Sequence, residues 1–265
     1  SRKSRENPLR NYYHWWPAEK GKPSPRESYF DVNRDAWRYD AQTDAYYLHY
    51  FSAKQPDLNW ENPQLRKEIY DIIKFWFDKG VDGFRMDVIP FISKDTTFPP
   101  MPAVYQGNFG DFYARGPHLH QYLREMNEEV FSQYKDRVSI AEGVGVKTDD
   151  VHLYIDPDRK ELDMLYHFEG MSIGYLPDGF KEPHPEGYSL LEFKQIYSKW
   201  DKAFGKGWGT IYLGNHDQPR MLSRWGNDAA EYRETSAKML LTFLLTMRAT
   251  PFIYFGDELG MANIK

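Results

Sequence analysis

The sequence predicts an α/β fold, a parallel sheet covered by helices on its outer surface, as in a (β/α)8 TIM barrel represented only in part. Three observations carry this. From Asn62 onward, short apolar runs alternate with amphipathic helical segments; there are five such runs where a closed barrel needs eight; and residues 1–60 are irregular, rich in Tyr, Trp, Pro, Asn and Asp. In that first stretch only Ala45–Tyr50 reads as a strand, and Gly21-Lys22-Pro23-Ser24-Pro25 reads as a loop. Asn62 can cap a helix with Pro63 in its first turn, and Leu65, Ile69, Ile72, Ile73, Trp76 and Phe77 then share a face until Gly80. Val81–Val88 follows as a short buried strand. Leu119, Leu123, Met126 and Val130 mark a second helix, Val138–Glu142 a second strand and Met164–Phe168 a weaker third. Ser189 with Glu192 forms a capping box before Leu190, Phe193, Tyr197, Trp200 and Phe204. Thr210–Leu213 is the fourth strand, a helix runs from about Glu231 to Arg248, and Pro251–Phe255 closes the series.

Composition removes several function classes. The 265 residues contain no cysteine, so there is no disulfide framework and no thiolate nucleophile, and any metal site would use His and carboxylates. Met239–Met247 is the longest uncharged apolar stretch, well short of the ~18 residues that span a bilayer. A net charge of −5 with scattered Lys and Arg gives no footprint for nucleic acid or anionic lipid. Ser1-Arg2-Lys3-Ser4 has neither the apolar core nor the cleavage site of a signal peptide and does not begin with Met. The expectation is a processed chain or the interior of a longer one; compartment is not legible, with the cytoplasm as the default. The 17 Phe, 8 Trp and 20 Tyr either fill a core or line a groove for something flat and hydroxylated.

Barrel enzymes place their chemistry at the C-terminal ends of the strands, and three strand ends here carry acids: Asp87, Glu142 and Asp217. One such acid alone is an ordinary loop or cap residue; three, separated by one or two strand–helix units, can converge on one mouth. Arg85 lies two residues before Asp87, so in a strand both project from one face, and the guanidinium would keep Asp87 ionised, as a nucleophile requires. A buried ion pair is the structural alternative. Glu142 follows apolar residues, and its desolvation would raise its pKa, as a general acid requires. Two carboxyls with opposed tendencies are the minimum apparatus for cleaving a glycosidic bond. A competing reading makes Asp87, Glu142, His216 and Asp217 metal ligands, but no H-E-x-x-H spacing occurs; phosphate-loop, dinucleotide and G-x-S-x-G patterns are absent too. We therefore expect neither metal nor cofactor.

The segments resemble glycoside hydrolase family 13, the α-amylase family, and within it the oligo-1,6-glucosidase and α-glucosidase subfamily. Gly83-Phe84-Arg85-Met86-Asp87-Val88 is similar to the family's second conserved region, Ser139-Ile140-Ala141-Glu142 to its third, Leu213-Gly214-Asn215-His216-Asp217 to its fourth, and Gln55-Pro56-Asp57-Leu58-Asn59 to its fifth. The resemblance implies Asp87 as nucleophile, Glu142 as acid/base and Asp217 as transition-state stabiliser, with Arg85, His216, Val88 and Arg220 binding substrate. It further implies that residues 1–60 end an inserted domain B, that 61–265 form the C-terminal part of the catalytic barrel with strands 4 to 8, and that the partner is an oligosaccharide. Val88 matches members that prefer α-1,6 linkages. Departures stand at Ala141, Gly143 and Phe255, and the first conserved region is absent. The implied activity is that of a retaining exo-α-glucosidase. A sucrose isomerase or transglucosylase is the alternative, opposed by Phe84, Met86, Val88 and Gln218-Pro219-Arg220, which look hydrolase-like. A non-catalytic barrel relic used in binding or assembly is the third possibility.

Overall fold

A computed structural model describes residues 1–176 and 182–264, and the chain divides into two compact units, Ser1–Val146 and Lys147–Lys265.

The first unit opens with a small antiparallel sheet of β1 (Trp15–Pro17), β2 (Trp37–Asp40) and β3 (Ala45–Leu48), in the order β1-β3-β2. Register is set by pairs such as Trp15 with Tyr47 and Trp37 with Leu48. Only β3 is legible in the sequence, because β1 and β2 are short and broken by Pro and charged residues, which hides the period-2 alternation. Helix α1 (Pro63–Asp78) starts as its sequence dictates: the Asn62 side chain accepts from the Gln64 N–H at 3.0 Å, with Pro63 in the first turn. Its buried stripe is narrower than expected. Leu65, Tyr70, Ile73 and Phe77 are inside, whereas Ile72 and Trp76, one residue off that stripe and so about 100° around the helix, are half exposed.

Strand β4 (Gly83–Met86), helices α2 (Phe109–Tyr113) and α3 (Leu119–Glu129) and strand β5 (Val138–Gly143) complete this unit. β4 and β5 are parallel, with Gly83 opposite Val138 and Arg85 opposite Ile140. Gly83 permits the close approach, since a Cβ there would meet the Val138 carbonyl oxygen at 2.3 Å. β4 is shorter than the Val81–Val88 expected and not uniformly buried; Val81 is exposed and Val88 turns left-handed, which ends the strand. Many of the aromatic residues fill a core. Trp37, Tyr50, Phe91, Phe98, Phe109 and Tyr113 form one buried cluster in which Tyr50 and Tyr113 stack at 3.8 Å.

The second unit carries α4 (Val151–Ile155), β6 (Met164–His167), α5 (Glu169–Ser172), α6 (Leu190–Ala203), β7 (Trp208–Ile211), α7 (Met221–Trp225), α8 (Arg233–Thr246) and β8 (Thr250–Pro251). β6 pairs parallel with β7, and β7 with β8. Ser189 caps α6 by accepting from the Glu192 N–H at 3.3 Å. Trp200 is fully buried, stacked on His167 at 4.2 Å, and the Trp225 indole N–H donates to the Leu213 carbonyl at 2.7 Å. β8 stops at Pro251, short of the Phe255 expected, because the Tyr254 N–H is captured by the Asp257 carboxylate and Gly256 turns with φ 94°. Among the described residues no helix is long and apolar enough to cross a membrane.

Candidate active site

In the first unit, parallel pairing of β4 and β5 sets Arg85 against Ile140, and Glu142 lies two residues further along β5 on the same face. Arg85 uses its fork twice. One terminal nitrogen bonds Asp87 Oδ1, and the other, Nη2, lies 2.7 Å from Glu142 Oε1. A guanidinium thus bridges two carboxylates of unlike surroundings: the Asp87 side chain is 74% exposed, that of Glu142 only 5%. Burial pushes the Glu142 carboxyl up to about 7; the Asp87 carboxylate adds to the rise, and the Val88 N–H and the Arg85 charge oppose it. At neutral pH such a group exists in both forms, which suits a residue that gives a proton and takes one back.

Two features of this cluster escaped the sequence reading. The second partner of Arg85 was legible in principle, since a parallel register places a β4 residue beside its β5 neighbour. The contribution of Val88 was not. Its backbone N–H donates to Glu142 Oε2 at 2.9 Å from a conformation of φ 42°, ψ 37°, which a β-branched residue rarely adopts. The Gln55–Asn59 segment supports the same region: Asp57 accepts from the Tyr50 N–H at 2.7 Å and pairs with buried Lys94 at 2.8 Å, and Lys94 donates to the Phe91 carbonyl at 2.7 Å.

His216, Asp217 and Arg220 belong to the second unit. His216 Nε2 lies 3.1 Å from Asp217 Oδ2, and the Asp217 N–H donates to Asn215 Oδ1 at 2.9 Å, an Asx turn that presents both side chains to solvent. Arg220 bonds the Phe255 carbonyl, and its guanidinium lies 5.0 Å over the Tyr254 ring. Neighbouring Gln218 accepts from Arg224 at 3.0 Å. No group of three His, Asp or Glu side chains among the described residues is arranged to hold a metal ion.

Carboxylates held at the ends of parallel strands are the arrangement of a catalytic α/β barrel. The family model for the α-amylase catalytic domain matches residues 1–265, and the chain belongs to that family, glycoside hydrolase family 13, in its oligo-1,6-glucosidase subfamily. Its fold is accordingly part of a (β/α)8 barrel. The chain is 49% identical to the oligo-1,6-glucosidase of Parageobacillus thermoglucosidasius and 47% identical to that of Bacillus cereus, each alignment covering 100% of this chain and 47% of the relative. The crystal structure of the trehalulose synthase of Pseudomonas mesoacidophila superposes with a TM-score of 0.93 at 44% identity, over 100% of this chain and 47% of the other. The chain spans about half the length of the curated relatives it matches.

Proposed function

We propose that the protein is a retaining exo-α-glucosidase acting on short oligosaccharides, with α-1,6 bonds favoured over α-1,4. The observation that carries this reading is the Arg85-bridged pair, an exposed Asp87 beside a buried Glu142 whose carboxyl is pushed up by burial. Asp87 attacks the anomeric carbon while Glu142 protonates the departing glycosidic oxygen; water, deprotonated by Glu142, then releases glucose with its α configuration. Asp217 stabilises the oxocarbenium-like state and His216 contacts the reacting sugar, with Arg220 and Val88 completing the subsite; these roles rest on the match to the family's motifs. In the same reading residues 1–60 end the inserted domain B and 61–265 supply the C-terminal part of the barrel.

A second reading has one observation in its favour: solved structures of similar fold include a trehalulose synthase, one of them with sucrose bound. Such an enzyme would return the glucosyl group to a sugar instead of water. Product analysis of the intact protein on isomaltose, maltose and sucrose separates the two. Glucose as the dominant product supports the hydrolase; isomaltulose or trehalulose from sucrose as the main product overturns it, and no turnover of any α-glucoside supports a barrel relic.

A further inference from the structure

We infer that Val88 is a positioning residue for Glu142 through its backbone: the left-handed turn aims a fixed N–H at Oε2 and thereby leaves Oε1 as the oxygen that carries the transferable proton. The inference rests on the acid/base role proposed for Glu142 and goes beyond any side-chain contribution of Val88 to substrate choice.

The two oxygens of Glu142 meet donors of different kinds. Oε2 faces a main-chain N–H at 2.9 Å, which has no torsion free to withdraw it. Oε1 faces Arg85 Nη2 at 2.7 Å, at the tip of a long side chain that remains 32% exposed and has a second carboxylate, Asp87, to turn toward. A proton on Oε2 would point at an immovable donor, whereas a proton on Oε1 requires only that the guanidinium rotate onto Asp87. In the reaction, the Oε1 proton passes to the glycosidic oxygen as its bond to the anomeric carbon breaks, the bonding pair stays on that oxygen, and an Asp87 oxygen bonds the carbon. Arg85 is then free to stabilise the Glu142 carboxylate until water supplies the next proton.

The backbone conformation itself indicates that the contact is built. Valine has two heavy substituents on Cβ and is among the residues least suited to φ 42°. Here the conformation is held from both sides. The Val88 side chain packs against the cluster of Tyr50, Phe91 and Tyr113, and its carbonyl accepts from the Phe91 N–H at 3.0 Å, which starts the 3-10 turn Ile89–Phe91. Within this unit the charged groups facing Glu142 are Arg85 on β4 and Asp87 just after it; the turn packed against β5 contributes Ile89, Pro90 and Phe91, none of which titrates.

Replacing the residue 88 amide by an ester, through incorporation of the α-hydroxy analogue of valine into the intact protein, deletes the N–H and keeps the side chain. Titration of the Glu142 carboxyl by infrared difference spectroscopy, with the band assigned by its loss in Glu142→Gln, is expected to move up by about one pH unit, because a donor to the carboxylate form has gone. The basic limb of kcat/KM should move with it. Val88→Gly, which fits the same backbone and retains the N–H, should leave both titrations in place whatever its kcat. An unmoved infrared titration in the ester variant overturns the inference. A moved titration in a protein that turns over no α-glucoside supports the positioning and removes the proposed function instead. Should the ester variant not fold, a crystal structure of the intact protein decides: Val88 with negative φ and its N–H turned away from Glu142 contradicts the inference, and a left-handed Val88 bonded to Oε2 supports it.

Discussion

At the residue scale, the proposed chemistry turns on two carboxylates that share one guanidinium and differ in exposure. Asp87→Asn removes the proposed nucleophile while leaving an exposed polar group of the same shape, so kcat/KM should fall below about 1% of the parent with far-UV circular dichroism and Tm retained. Higher residual turnover takes Asp87 out of the nucleophile role. Glu142 has the opposite problem, a charge held in a buried site. Its carboxyl is raised to about 7 from an ordinary 4.5, so the folded state binds the proton more tightly than the unfolded chain between those values. Stability therefore declines as pH rises through that window and is lowest, for this group, above 7. Glu142→Gln removes the buried charge, and at pH 8 it should raise Tm by about 2 °C while abolishing hydrolysis of substrates with poor leaving groups. A Tm lowered at pH 8, or a gain that persists undiminished at pH 4, would contradict the assignment of burial as the cause. Sequence reasoning reached both acids and Arg85 because a charged residue at a strand end is visible as a break in an apolar run. It could not reach the N–H of Val88, because a β-branched residue argues against the turn it makes, which is held by packing on the Tyr50, Phe91 and Tyr113 cluster and by the Phe91 N–H bond to the Val88 carbonyl.

At the element scale, the site depends on how closely β4 and β5 approach. Gly83→Ala would push a methyl group onto the Val138 carbonyl and shift the register that puts Arg85 beside Glu142. The cost expected is about 1–3 kcal/mol in urea unfolding, together with a drop in kcat larger than any change in KM. Full activity in this variant would show that the strand pair tolerates separation. Helix α1 is legible because its signals are local: Asn62→Ala should cost about 1 kcal/mol in the same assay, with kcat/KM unchanged, since the cap lies far along the chain from both carboxylates. The small antiparallel sheet was mostly illegible for the converse reason. Its strands are three or four residues long, and their pairing comes from contacts such as Trp15 with Tyr47 that no local window contains. Likewise β8 ends early through a capture of the Tyr254 N–H by Asp257, a loop interaction that apolar content does not reveal.

At the scale of the whole molecule, the alternation of short apolar strands with amphipathic helices is enough to name the fold class, because parallel strands need crossover connections and the helices that supply them cover the sheet. The family motifs add what periodicity lacks, a choice among the acids, and the structure adds the contrast in environment between Asp87 and Glu142 on which the proposed division of roles rests. The proposed mechanism requires a covalent glucosyl ester on Asp87. Incubating the intact protein with a 5-fluoro-α-glucosyl fluoride, which slows release of the intermediate, and mapping the adduct by peptide mass spectrometry tests this directly. The predicted result is one 5-fluoroglucosyl adduct on the peptide containing Gly83–Val88, located at Asp87 and absent from Asp87→Asn; an adduct on a different carboxylate, or turnover of the fluoride with inversion and no adduct at all, would contradict it.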